Sequence, residues 1–152
     1  MKQSALVIDR SLSPFHQKLL QCNFARGTKE LLRALDHCIP VENMGEFDDV
    51  RIMQSMTVPE IRKLLSCNDR VEATVFDLVN ACADDPWLGY TNPVIALGTE
   101  LICENGFRHY MYVFRSGNDR CIGFLRANMK FNPDFHFFIC FFDQPASSEV
   151  PS

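Results

Sequence analysis

The sequence lacks several features that mark common classes of protein. No apolar run approaches the roughly 18 residues that a membrane-spanning helix needs, so we predict no association with a membrane. Positive charge is not in excess, since 15 Lys and Arg stand against 19 Asp and Glu, and we therefore predict no DNA binding. The apolar stretch before Asp9 is too short for a signal peptide, which favours a cytoplasmic location.

Motifs for metal, cofactor and nucleophile chemistry are also missing. The 7 cysteines are irregularly spaced and contain no C-x-x-C pair, so we predict no metal site and a reducing compartment. The P-loop, dinucleotide-binding, G-x-S-x-G and H-E-x-x-H patterns are all absent. We therefore predict neither a bound cofactor nor catalytic residues. The acidic doublets Asp48–Asp49 and Asp84–Asp85 are typical of turns and helix caps.

Helix signals dominate the N-terminal half of the chain. Ser13 and Thr28 can each cap a helix, with Pro14 at the first helical position after Ser13, and Thr57–Glu60 forms a capping box. A similar signal at Asp69–Glu72 precedes an apolar stripe that ends at Cys82. Residues 50–56 alternate as a strand.

The C-terminal half is rich in phenylalanine, of which the chain has 13, and its apolar residues recur with a period of two. Turn signals such as Asn105–Gly106 separate strands predicted at about 97–104, 107–115, 120–131 and 135–143. Short turns favour antiparallel neighbours. We therefore predict an α+β fold in which N-terminal helices pack on a C-terminal four-stranded antiparallel meander. Residues 1–145 would form a single domain and residues 146–152 a flexible tail.

This register gives the meander an apolar face and a mixed face, on which phenylalanines alternate with charged groups. The binding residues predicted on the mixed face are Phe107, His109, Phe124, Arg126 and Phe138. The phenylalanines would supply apolar contact, while His109 and Arg126 would orient an acidic or hydrogen-bonding group. An alternative is that an N-terminal helix or strand covers the mixed face.

An exposed mixed face predicts a non-catalytic cytosolic module for regulatory interaction or ligand sensing. Its partner would be another protein or a second copy of the chain, as in a homodimer. An enzyme would need a different arrangement. Cys140 and His109 are predicted about 9–10 Å apart with Arg126 between them, which is too far for direct proton transfer.

The sequence is also compatible with two other functions. Four segments of the chain resemble strands and a helix of Gcn5-related N-acetyltransferases, namely residues 50–53, Thr57–Ile61, Arg120–Arg126 and Phe135–Phe142. The resemblance implies an acyltransferase-like domain restricted to the acceptor half, because only ten residues follow Phe142 and none is glycine. A single-stranded RNA-binding sheet would instead use Phe107, Phe124 and Phe138, flanked by Arg126 and Lys130.

Overall fold

Helices cover both faces of a central sheet in the computed structural model of the chain. The structure describes residues 13–36, 38, 40–66, 69–102 and 106–142. The predicted tail and Asn105 of the first predicted turn lie outside these residues. Within them the helices are α1 (Pro14–Cys22), α2 (Thr28–Ala34), α3 (Val58–Leu65) and α4 (Val75–Asp84).

The main sheet has 6 strands and is mostly antiparallel. The strands in chain order are β1 (Glu46–Arg51), β2 (Met56–Thr57), β3 (Arg70–Glu72), β4 (Val94–Ile102), β5 (Arg108–Ser116), β6 (Asp119–Arg126), β7 (Lys130–Phe131) and β8 (His136–Phe141). The main sheet runs β1-β8-β4-β5-β6, with β3 also paired to β8, and β2 pairs separately with β7. The protein is therefore α+β, as predicted.

The fourth predicted strand does not continue a meander. Strands β4, β5 and β6 are consecutive antiparallel neighbours, but the chain turns after Arg126 and breaks the predicted strand 120–131. It then returns to the middle of the sheet, where β8 pairs with β1 and β3 and runs parallel to β4. Strand β8 is almost continuously apolar, and such strands are typically buried on both faces in the centre of a sheet.

Successive residues of the strands belong to two separate cores, as expected from the alternation of side chains across a sheet. The mixed face packs against α1, α2 and α4 in a core that includes Leu19, Leu31, Leu78, Met111, Ile122 and Phe138. The apolar face packs against α3 in a second core that includes Ile61, Leu97, Tyr110, Phe137 and Ile139. N-terminal helices therefore cover most of the mixed face.

Capping residues explain where the helices begin, and two of the predicted starts are wrong. Ser13 caps α1, and Thr57 with Glu60 forms the predicted capping box of α3. The N-cap of α2 is Gly27 rather than Thr28. The signal at Asp69–Glu72 does not begin a helix, because β3 lies there and a capping box of Thr74 and Asp77 begins α4. The strand predicted at 50–56 is divided between β1 and β2.

Candidate functional site

Three of the five predicted binding residues lie together at the open end of the hairpin of β5 and β6. His109 pairs with Arg126 across the two strands, as the predicted register requires. The Arg126 guanidinium lies over the Phe107 ring, 3.8 Å from its centroid, and the Phe107 side chain is 51% exposed. His109 is buried beneath them, with Nδ1 3.0 Å from the Phe107 carbonyl oxygen. This arrangement presents a stacked aromatic ring and guanidinium at the surface.

The other two predicted residues are separated by the fold. Phe124 is half-buried on β6, two residues before Arg126 and on the same face. Phe138 lies on β8 and is buried, with its ring stacked on Phe47 at a centroid distance of 5.4 Å. Two strands lie between β8 and β6, so Phe138 and Phe124 are about 14 Å apart. The three-phenylalanine platform of the RNA-binding alternative is therefore not formed.

A groove of about 560 Å³ lies along the outer edge of β6. The segment before α2 covers the first half of this edge, because Ala25 N–H donates to the Arg120 carbonyl and Ile122 N–H donates to the Arg26 carbonyl. The chain then turns away at Gly27. The groove follows, and it is lined by the turn into α2 and by Phe24, Phe114, Ile122 and Phe124.

A second hollow of about 270 Å³ adjoins the groove. Phe124 lines the groove and Arg126 lines the hollow, and the two residues are neighbours on one face of β6. The charged residues that line the two are Arg26, Lys29, Arg108 and Arg126 against Glu30, and Arg108 is paired with Glu100 at 3.2 Å, which leaves a local charge of +2 in a chain whose net charge is −4. We call this region the edge surface and define it as Phe24, Arg26, Lys29, Phe107, Phe114, Phe124 and Arg126. Sequence reasoning found Phe107, Phe124 and Arg126 but missed the others, which reach the groove only through long-range packing.

An acidic cleft of about 390 Å³ lies at the opposite edge of the main sheet, between β1 and α4, on the same face as the groove. Both acidic doublets line it, and the stacked rings of Phe47 and Phe138 form part of its wall. Asp77 also lines it but is fully engaged as a cap, accepting hydrogen bonds from the Thr74 N–H and from the Asn43 main chain and side chain. The doublets are far apart in the sequence, and no local signal brings them together.

Beside this cleft, His136 binds Asp49 and links β8 to β1. The His136 Nδ1 lies 2.6 Å from Asp49 Oδ2. Burial acts to raise the pKa of Asp49, but hydrogen bonds from His136 and from the main chain outweigh it and leave that pKa below its ordinary value. Asp49 is therefore ionised at neutral pH, and its contact with His136 joins the two strands.

Cys140 is not arranged as an activated nucleophile. It is completely buried on β8, and burial, assisted by the negative charge of Asp77, raises the pKa of its thiol. Strand β4 separates it from His109 on β5, and Arg126 lies on the far side of His109. The predicted row with Arg126 between the cysteine and the histidine is therefore wrong. Arg126 cannot favour the Cys140 thiolate from this position.

No group of three or more His, Cys, Asp or Glu side chains in the described ranges could hold a metal ion. In the same ranges, no helix is long and apolar enough to cross a membrane. No family model matches the chain, and no curated protein or solved structure was found to be similar to it.

Proposed function

We propose that the protein is a non-catalytic interaction module that binds a protein partner through the edge surface. The observation that carries this proposal is the stacked pair of Arg126 and half-exposed Phe107 in the hollow beside an aromatic-lined groove. Arginine and aromatic side chains contribute most of the binding energy in many protein interfaces. A positive local charge adds selectivity and faster association with acidic partners.

The location of the edge surface supports binding rather than a role in folding. Helices already cover most of the mixed face, whereas Phe107 and Arg126 remain exposed at its end. Arg126 can therefore be substituted without opening either core.

A displayed library of random peptides, selected on the immobilised protein, tests this function. We expect the selected peptides to bind at least about tenfold more weakly to Arg126→Glu and to Phe107→Ala, as for residues central to an interface. Lys63→Glu is the matched control, because Lys63 is exposed on α3 beyond the opposite face of the sheet. Circular dichroism would verify that each variant is folded.

Two results would contradict the proposal. One is a selection whose peptides bind equally well to the wild type and to both edge-surface variants. The other is binding of a single-stranded oligouridine that is lost in Arg126→Glu while no peptide binds, which would favour the RNA-binding function instead.

A further inference from the structure

The register of β6 shows which of its main-chain groups face away from the sheet. Residues of an antiparallel strand alternate between hydrogen bonding to the neighbour and pointing outward. The Ala127 N–H bonds to the Arg108 carbonyl on the β5 side, whereas Arg120 and Ile122 bond outward to residues 25 and 26. The same alternation directs the N–H and carbonyl of Phe124 and the N–H of Arg126 outward.

These outward groups form a short free edge. Within the described part of the chain, no hydrogen bond to the Phe124 N–H, the Phe124 carbonyl or the Arg126 N–H is present. The covering segment stops short of them because Gly27, with φ of 98°, turns the chain into α2. A Cβ at Gly27 would lie 2.4 Å from the Ile122 carbonyl oxygen, so only glycine permits this close approach.

The groove beside the free edge has a definite chemical character. Phe24, Phe114 and Phe124 provide apolar walls, and the lining cations outnumber the one lining carboxylate. An unpaired strand edge with side-chain pockets next to it is the arrangement that receives an extended peptide as an additional strand.

We infer that the edge surface binds an acidic, extended segment of a partner protein, which adds as a short strand to β6 at Phe124 and Arg126. This inference rests on the proposed function. The partner main chain bonds to the free edge, its apolar side chains enter the groove, and its carboxylates approach Arg26, Lys29 and Arg126.

A second copy of the chain fits this edge less well than an acidic segment, because like charges would meet in any register and one register is also blocked. Two-fold pairing of β6 strands centred on Phe124 would set Arg126 opposite Ile122 of the other copy. The outward N–H of that Ile122 already bonds to Arg26, and residues 25–27 occupy the space. Pairing would also bring together the positive charges of two identical edge surfaces. An acidic segment of another protein meets neither obstacle.

The test uses a synthetic peptide that repeats Val-Thr-Glu-Thr, so that valine and glutamate lie on the same face of the added strand, and a matched peptide with lysine in place of glutamate. Fluorescence anisotropy would measure binding to the full chain, and amide hydrogen exchange by NMR would measure protection. We expect binding of the glutamate peptide, slower exchange at the Phe124 and Arg126 amides, and at least about tenfold weaker binding of the lysine peptide.

A proline substitution separates main-chain from side-chain contacts. Phe124→Pro removes an N–H that faces away from β5, and proline is tolerated at such edge positions. Phe124→Ala removes the same ring but retains the N–H. We expect the glutamate peptide to bind at least about fivefold more weakly to the proline variant than to the alanine variant, since one hydrogen bond is lost. If the proline variant does not fold, amide exchange in the wild-type protein decides the question.

The outcomes distinguish this inference from the function on which it rests. Library peptides that require Phe107 and Arg126 without protecting the Phe124 amide would overturn strand addition and leave the interaction function standing. Failure of the glutamate peptide to bind, or equal binding of the lysine peptide, would overturn the acidic partner. A library that yields no peptide dependent on the edge surface would remove the proposed function itself.

Discussion

Arg120 provides the sharpest test of how this fold is held together. Its side chain is 6% exposed, and its guanidinium donates to the carbonyls of Cys82, Asp85 and Leu88 at distances of 2.8, 2.7 and 3.2 Å. These carbonyls lie at the end of α4 and in the loop after it, where helices leave acceptors without partners and favour positive charge. The guanidinium also lies over the Phe24 ring. One side chain thus joins β6, α4 and the edge surface.

Arg120→Met removes the charge and the donors but keeps an apolar stem. We assign about 2 kcal/mol to the buried bond with Cys82 and about 0.5–1 kcal/mol to each of the two partly buried bonds, which water can replace in part. The expected loss in the free energy of unfolding is about 3–4 kcal/mol. For a domain whose total stability is of the order of 5–15 kcal/mol, this is a severe loss.

Urea denaturation followed by circular dichroism would measure the effect. With a slope of about 2 kcal/mol per molar urea, the midpoint should fall by about 1.5–2 M. Arg115→Met is the matched control, since Arg115 pairs with Arg120 across the hairpin but is exposed, and it should change stability by less than about 0.5 kcal/mol. A loss below about 1 kcal/mol in Arg120→Met would refute the reasoning.

Three further predictions concern other parts of the fold. The folded-state pKa of Asp49 lies below its ordinary value of 3.8, so its contribution to stability is present above that pH and lost as the pH falls below it. Asp49→Asn should flatten this part of the pH dependence in urea titrations. Burial raises the pKa of Cys82 to about 12 and also raises that of Cys140, so maleimide should label both slowly in the native protein and rapidly in urea. Gly27→Ala should lower the free energy of unfolding by about 2 kcal/mol or more, because of strain at positive φ and the clash with β6.

Each of these predictions has a clear contrary result. Identical acid dependence of the wild type and Asp49→Asn would show that the contact with His136 adds nothing to stability. Fast native labelling of Cys140 alone would indicate an activated thiol and reopen the enzyme alternative. Unchanged stability of Gly27→Ala would mean that the turn beside β6 relaxes readily.

Local signals in the sequence were sufficient for much of the secondary structure. The Ser13 cap and the Thr57–Glu60 capping box begin helices where predicted, because each depends on residues within one helical turn. The hairpin of β5 and β6 has the predicted register, because its tight turn leaves little freedom. The start of α4 was misassigned because a similar signal at Asp69–Glu72 precedes the capping box that forms.

The candidate site was predicted only where it depends on that hairpin. His109 and Arg126 were correctly paired, since they lie on strands joined by a short turn. Phe138 was placed beside Phe124 because consecutive strands were assumed to be neighbours. In the fold, β8 instead takes a central position, where its apolar residues are buried on both faces.

The sequence by itself determined the α+β class, the caps of α1 and α3, the register of the hairpin of β5 and β6 and the alternation of two sheet faces. Only the tertiary structure decided the strand order, the helices that cover the mixed face and the groove beside β6. The physical reason is how far apart in the sequence the interacting residues lie. Caps and turns are stabilised by residues a few positions apart, whereas strand order depends on burying apolar surface contributed by distant segments. That packing leaves Phe107, Phe124 and Arg126 accessible at the edge and buries Phe138.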